Sequence, residues 1–493
     1  MITIKKPFVA LGLLGLLTGC GEKFLDVAPN DSVTEDNFYK TETDAIQATN
    51  AVYSELGKGG QYNYALWGIG EIMSDNTYTG GGGGGDGIEF QQLDNFNITA
   101  TNPLVNRLWG GCYVGIGRAN MVVAKVPGIA NMSDAVRRRC LGEAKFLRAK
   151  FYFDLVRAYG DVPLITTPPT SLAEANIPRS SAEQVYNQIE QDLTEAMASL
   201  DGAYSGADLG RATKWAAEGL LAKVQLTRGN KSGAAQHARN VVLNSGKSLW
   251  PNYADNFKVA NENGRESLFE VQYVSGLNQW TMDGLGSVIN EYWGPRGAGI
   301  TPQAGYGFNI PENEFVNGYE AGDLRKDATI WKPGDAYPDG RTQPSQLPGS
   351  PSGYGAKKFF VGKVSTNIWD SPLNFPVLRL AEVYLILAEA AGPTDPDALK
   401  AINQVRRRAF GLDINTAAPQ IDLMANTPNF TEAVIRERRY ELALENDRWF
   451  DLKRTGKLAT ALTPKGFKPF NAVLPIPQSE RDANLNLTQN PSY

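Results

Sequence analysis

Apolar residues recur three and four positions apart along most of this chain, the spacing that lines one face of an α-helix. Ala45, Ile46, Thr49, Val52, Tyr53 and Leu56 set out the first such stripe, with Thr43 and Asp44 as candidate N-caps. A longer stripe runs through Val136, Cys140, Ala144, Leu147, Phe151 and Leu155, and Gly160-Asp161-Val162-Pro163 ends it. Ser180 or Ser181 caps the next helix, whose Val185, Ile189, Leu193, Ala196 and Leu200 share a face. Trp215, Leu220, Val224 and Leu226 follow, then Gly229-Asn230 as a stop, then a stretch from Ala234 to Leu243. Residues 375–391, 396–410 and 431–446 keep the same period.

Two of these pairs share a form. Trp215 to Val241 and Leu378 to Val405 are both helix–turn–helix units, the first of about the 34-residue tetratricopeptide length. One helix pair cannot bury its apolar face alone, so such pairs stack. Between them the periodicity fails. Residues 58–104 and 245–374 are rich in Gly, Pro, Asn, Tyr and Trp, and the first of these stretches contains the glycine run Gly80 to Gly85. Loops of this length are usually functional or disordered, and their aromatic content argues against plain disorder. The pattern therefore predicts a mainly α fold: a helix-pair scaffold over residues 40–57, 105–244 and 375–455, carrying two long irregular insertions.

Composition narrows the function. With 42% apolar residues in 493, a large core can be buried. Lys and Arg number 48 against 53 Asp and Glu, and no basic stretch stands out, which tells against a nucleic-acid partner. The single histidine, His237, and three cysteines exclude His-rich zinc sites and Cys₄ clusters. At the N-terminus Lys5 and Lys6 precede an apolar run from Phe8 to Leu17, then Thr18-Gly19-Cys20. A basic start, a short apolar core and small residues before a cleavage point describe a secretory signal peptide over residues 1–19. The Cys after Thr-Gly resembles the bacterial lipobox, in which Cys20 is lipidated and heads a mature chain of residues 20–493, a single domain. Cys112 and Cys140 are expected as buried free thiols.

Several motifs point the same way. Lys23-Phe-Leu-Asp-Val27, Glu143-Ala-Lys-Phe-Leu-Arg-Ala149, Phe151-Tyr-Phe-Asp-Leu-Val156 and Tyr159-Gly-Asp-Val-Pro163 occur in the first half. Leu378-Arg-Leu-Ala-Glu-Val-Tyr384, Glu437-Arg438, Arg448-Trp-Phe-Asp-Leu-Lys-Arg454 and the ending Leu474-Pro-Ile-Pro477 with Gln489-Asn-Pro491 follow in the second. In this order they resemble the SusD/RagB family over essentially the whole mature chain. Phe410 in Arg408-Ala-Phe-Gly411 and Ser492 depart from its usual pattern, and the glycine run has no family counterpart. The resemblance implies a surface-exposed, lipid-anchored outer-membrane protein of Bacteroidetes with a SusD-like fold. It implies an oligosaccharide ligand, or in some members a peptide, delivered to a SusC-like TonB-dependent transporter. No catalytic residue, metal or cofactor is implied.

Sugar recognition needs flat apolar faces beside planar polar groups. Both insertions have that mixture: Trp67, Asp75, Asn76 and Tyr78 in one; Trp280, Tyr292, Trp293 and Arg296, with Gln279 and Asn290, in the other. The bland alternative is that these rings close the core beneath long loops. Glu71 and Asp75 could mimic a glycosidase pair, which keeps a surface glycoside hydrolase as an alternative, although such spacings arise by chance. The charge run from Arg436 to Arg448 is expected to tie its helix to the scaffold by ion pairs, with Glu432–Arg436 and Arg438–Glu441 along the helix, and Trp449 and Phe450 are expected in the core. His237 is expected to be a packing or surface residue.

If Cys20 carries the lipid, Cys20→Ala should move the protein from the membrane pellet to the soluble fraction, since no later run of apolar residues can hold it. Fractionation in cells lacking the transporter checks this, and a variant that stays in the pellet contradicts it.

Overall fold

The structure, a computed structural model, describes residues 38–493. The leader and Cys20 lie outside them. Helix α1 (Glu42–Leu56) starts at Thr41, whose hydroxyl accepts from the Asp44 amide while the Asp44 carboxylate accepts from the Thr41 amide. The cap is thus Thr41 rather than Thr43 or Asp44, because the capping box needs its acid three positions after the cap. Helix α2 (Pro103–Lys125) begins behind Asn102 with Pro103 in its first turn, where a missing N–H costs nothing. Next come α3 (Asp134–Tyr159), α4 (Ala182–Ser199), α5 (Lys214–Thr227) and α6 (Lys231–Asn244), each packed on the one before it. Asn230 both ends one helix and caps the next, accepting from the Gly233 amide.

The chain then leaves the stack and returns to it. Helix α7 (Leu380–Ala391) packs directly on α6, and α8 (Pro396–Ala409) packs on α7, so residues 245–379 are looped out of a continuous helical array. Helices α9 (Phe430–Glu441) and α10 (Arg448–Arg454) close the scaffold. The α3 stripe predicts one buried face, but every residue from Phe146 to Tyr159 is buried. This helix is central, and its charges are matched inside: Arg148 with Asp192 at 2.7 Å and Arg157 with Asp447 at 2.6 Å. Cys112 and Cys140 are both buried and unpaired.

Short strands bind the insertions. These are β1 (Thr77–Gly80), β2 (Ser267–Val271), β3 (Phe308–Pro311), β4 (Ile330–Trp331), β5 (Gly355–Ala356) and β6 (Phe375–Arg379). They pair antiparallel as β1–β3, β2–β6 and β4–β5. The β1–β3 ribbon, with Tyr78 opposite Ile310, joins the first insertion to the second. Residues 375–379 are strand rather than helix: Pro376 holds the preceding residue extended, and β2 supplies the partner. Residues 442–446 also leave the helix, since Leu444 and Asn446 take positive φ.

The charge run does tie α9 to the rest, but not along its own axis. Glu441, fully buried, lies between Arg408 at 2.5 Å, Arg379 at 2.5 Å and Arg325 at 3.1 Å. Glu437 pairs with Arg325 at 2.6 Å and Arg406 at 2.7 Å, and Glu266 with Arg379 and Arg408. Arg438 turns to Asp451 and Glu382, and Glu432 to Lys457, so the expected pairs within α9 are replaced by pairs between segments. Trp449 and Phe450 are buried beside this network.

Burial alone would raise the Glu441 carboxyl, yet Arg408, Arg379 and Arg325 hold it far below the usual carboxylate range. A lowered folded-state pKa adds stability that is present above the unfolded value and lost as pH falls. Burial pushes the Glu71 and Glu143 carboxyls up to about 7, and their contribution is lost as pH rises through that value. Stability should therefore peak near about pH 5–6 and decline on both sides. Urea midpoints measured from pH 3 to pH 8 check this; a flat profile contradicts it.

Candidate functional site

The site is built on the loop over residues 274–287. The Val274 amide donates to the Leu285 carbonyl at 2.9 Å, and inside the loop the Leu285 amide donates to Gln279 Oε1 at 2.8 Å. Outside it, Asp370 accepts from the Gly276 amide at 2.7 Å, and Asn367 donates to the Gln279 carbonyl. From the scaffold side, Asn63 Nδ2 donates to the carbonyls of Met282 and Gly286, while its Oδ1 accepts from the Val288 amide. The loop is fastened on three sides. On it stands Trp280, 59% exposed, an unusual position for so large an apolar ring.

Trp280 meets the half-buried Trp369 edge to face, with centroids 6.4 Å apart. The Trp369 indole adjoins the Tyr292 hydroxyl, and Tyr292 meets the half-buried Tyr306 at 5.2 Å. The Tyr306 carbonyl accepts from Arg296 at 2.9 Å, and Arg296 pairs with Asp86 at 2.9 Å. Side chains in consecutive contact thus lead from Trp280 to Asp86. Burial pushes the Tyr292 phenol up to about 12, so it remains a neutral hydrogen-bonding group at physiological pH. Beside this face Tyr64 donates to Glu89 at 2.6 Å, and the exposed Arg107 lies 6.0 Å from the Tyr64 ring.

The sequence-predicted residues divide sharply. Trp280 and Arg296 lie on this face, with Tyr292 directly beneath it. Trp67 is fully buried and stacked on Phe90 at 4.2 Å, and Trp293 is buried against Trp67 and Phe359, so both are core rings rather than platforms. The reason is physical: strand pairing brings two aromatic-rich insertions face to face, and the bulkiest rings fill the seam between them. Asp75 is held by Arg448 at 2.7 Å and Arg439 at 3.1 Å, and Asn76 donates to Glu71 and accepts from Arg439. Tyr78 lies half-buried in the β1–β3 ribbon beside Ser350 and Ser352. Glu71 is fully buried and accepts from the Leu444 amide, so the Glu71/Asp75 pair faces no cleft. Gln279 and Asn290 both hold backbone, and His237 contacts Glu218. Trp369 and Tyr306 were missed by sequence reasoning; each sits among small or polar neighbours in the second insertion, the signal that drew attention to Trp280.

Another concavity, a cleft of about 290 Å³ between α1 and β2, is lined by Asn50, Tyr53, Leu209, Arg211, Glu270 and Gln272. Its one ring, Tyr53, is held against Phe269 and accepts from the Ala212 amide. Among the described residues, no three His, Cys, Asp or Glu side chains group as metal ligands, and no helix is long and apolar enough to cross a membrane.

Comparison with known proteins settles the family. Residues 265–493 match the model of the SusD family, and residues 23–226 match one described as starch-binding, associating with outer membrane. A SusD-like protein of Bacteroides ovatus is 30% identical over 489 residues, covering 92% of this chain and 82% of that one. The chain belongs to the SusD family. Among solved SusD-like structures, a laminarin-binding SusD-like protein superposes with a TM-score of 0.81 at 33% identity, covering 92% of this chain and all of the other. Surface glycan-binding protein A of Bacteroides thetaiotaomicron, solved with laminarihexaose, shares the fold at a TM-score of 0.77 and 24% identity, covering 91% and 99%. The SusD fold thus accounts for the helical scaffold and for the long insertions it carries.

The division of rings is testable by stability alone. Trp67→Ala should lower unfolding free energy by about 3–5 kcal/mol, as for other large buried rings. Trp280→Ala should leave it within about 0.5 kcal/mol, as surface substitutions do. Denaturant titration of the two variants checks the contrast, and similar losses in both contradict it.

Proposed function

We propose that this chain is a surface glycan-binding lipoprotein. It captures oligosaccharide on the face from Trp280 to Arg296 and delivers it to a SusC-like TonB-dependent transporter in the outer membrane, to which Cys20 anchors it. The exposed Trp280 against Trp369, on a loop fastened by Asn63, Gln279 and Asp370, carries the proposal. A flat apolar ring held rigidly in water is poorly explained by folding and well suited to the C–H face of a sugar. Tyr292 and Tyr306, with Arg296 and Asp86, supply groups for the hydroxyls. The laminarin-binding relative at 33% identity makes laminarin-type glucans the first ligands to try.

Binding without chemistry is the reading for this face. The carboxylates that suggested a hydrolase are engaged in the fold, Asp75 by two arginines and Glu71 by Asn76 and a backbone amide. A protein that passes its ligand on needs only moderate affinity, in the range of about −8 to −4 kcal/mol. A peptide ligand, the alternative for this family, has no observation here that favours it.

Calorimetric titration of Cys20→Ala protein with laminarihexaose, starch oligosaccharides and peptides tests the proposal. Binding of a glycan, with no product by chromatography, is the expected result. Trp280→Ala should weaken it by about 1–3 kcal/mol, the range for removing a stacking ring or interface anchor. Product formation would favour the hydrolase, and peptide binding alone would favour the peptide carrier.

A further inference from the structure

The glycine run lies where the contact path from Trp280 ends. Asp86 pairs with Arg296, and its carboxylate also accepts from the Gly82 amide at 2.7 Å. Gln91 donates to the carbonyls of Gly83 and Asp86, so the loop is pinned at both shoulders. For the first three glycines the protein itself demands the absence of a side chain. A Cβ would come within 2.3 Å of the Gly307 carbonyl at Gly80, within 2.7 Å of Phe308 at Gly81 and within 2.7 Å of Arg296 at Gly82. Gly83 and Gly85 take φ of +101° and +93°, which glycine alone adopts readily.

Gly84 has neither reason. Its φ lies outside the left-handed range, and a Cβ there would meet nothing within 4 Å. Ordering a glycine costs more backbone entropy than ordering any other residue, and its compensating use is close approach of backbone to a ligand. Among the described residues, the amides of Gly84 and Gly85 donate to no acceptor.

We infer that the tip Gly83–Gly85 is a second wall of the glycan site, where a saccharide chain lies on bare backbone and its hydroxyl oxygens accept from the Gly84 and Gly85 amides. The inference rests on the glycan reading of the Trp280 face. Trp280 and Trp369 hold one part of the chain, and units extending past Arg296 meet the glycine tip. The loop would thereby favour longer oligosaccharides over short ones and exclude chains with bulky branches at that position.

Gly84→Val tests this, because the added atoms have open space in the free protein and Gly84→Ala gives a smaller step. With laminarihexaose as probe, Gly84→Val should lose about tenfold or more in affinity at unchanged Tm, with Gly84→Ala in between. Trp280→Ala is titrated in parallel. If Trp280→Ala weakens binding while both Gly84 variants bind like wild type, the wall is overturned and the glycan reading stands. If wild type binds no hexasaccharide, or Trp280→Ala leaves binding unaltered, the reading of the face falls and the inference with it. A lowered Tm in Gly84→Val would show a tip packed on protein and would also overturn the wall.

Discussion

One buried carboxylate holds the two halves of this molecule together. Glu441 on α9 is bound by Arg408 of α8, Arg379 at the end of β6 and Arg325 within the second insertion. Apolar contacts between helix faces tolerate sliding by a turn or a shift in tilt. A carboxylate gripped by three guanidinium groups does not, since each displacement exposes an unpaired buried charge. Removing one partner from such a cluster costs about 3–5 kcal/mol, a large part of a typical domain's stability. The scaffold and its insertion are thus registered by charge, while hydrophobic burial supplies the bulk of the driving force.

That registration matters because the binding half is mostly irregular. Its order comes from side chains that satisfy backbone groups: Asn63 and Gln279 hold the Trp280 loop, and Asn290 holds the segment at Val361 and Gly362. Beneath them Trp67, Phe90, Tyr292, Trp293 and Phe308 form a continuous aromatic seam between the insertions. Such a seam is rigid, and rigidity below is what lets Trp280 stay extended above without collapsing onto the surface.

The helices were legible because a 3.6-residue period survives without any knowledge of partners. Their surroundings were not. The α3 stripe shows one apolar face, yet Arg148 and Arg157 on the other faces are buried, because their carboxylate partners come from α4 and from the turn before α10. Charges spaced three or four apart on α9 suggest local pairs; the structure uses them across the fold, and spacing along one helix carries no information about that. Phe375 to Arg379 reads as helix or strand equally well, since a short apolar run has no clear period. Trp67, Trp280 and Trp293 also look alike in sequence, each in a loop rich in small residues. Their separation into two core rings and one exposed ring depends on β1 meeting β3, a pairing between residues far apart in the chain.

The direct packing of α7 on α6 has a consequence for how such a molecule can diversify. The second insertion departs from and returns to points that the helical array itself keeps close, so its length adds little to the entropy of closing the scaffold. It behaves as a cassette. A lineage could replace its recognition surface wholesale, and with it the carbohydrate it gathers, provided that an arginine still reaches the Glu441 socket from within the new segment.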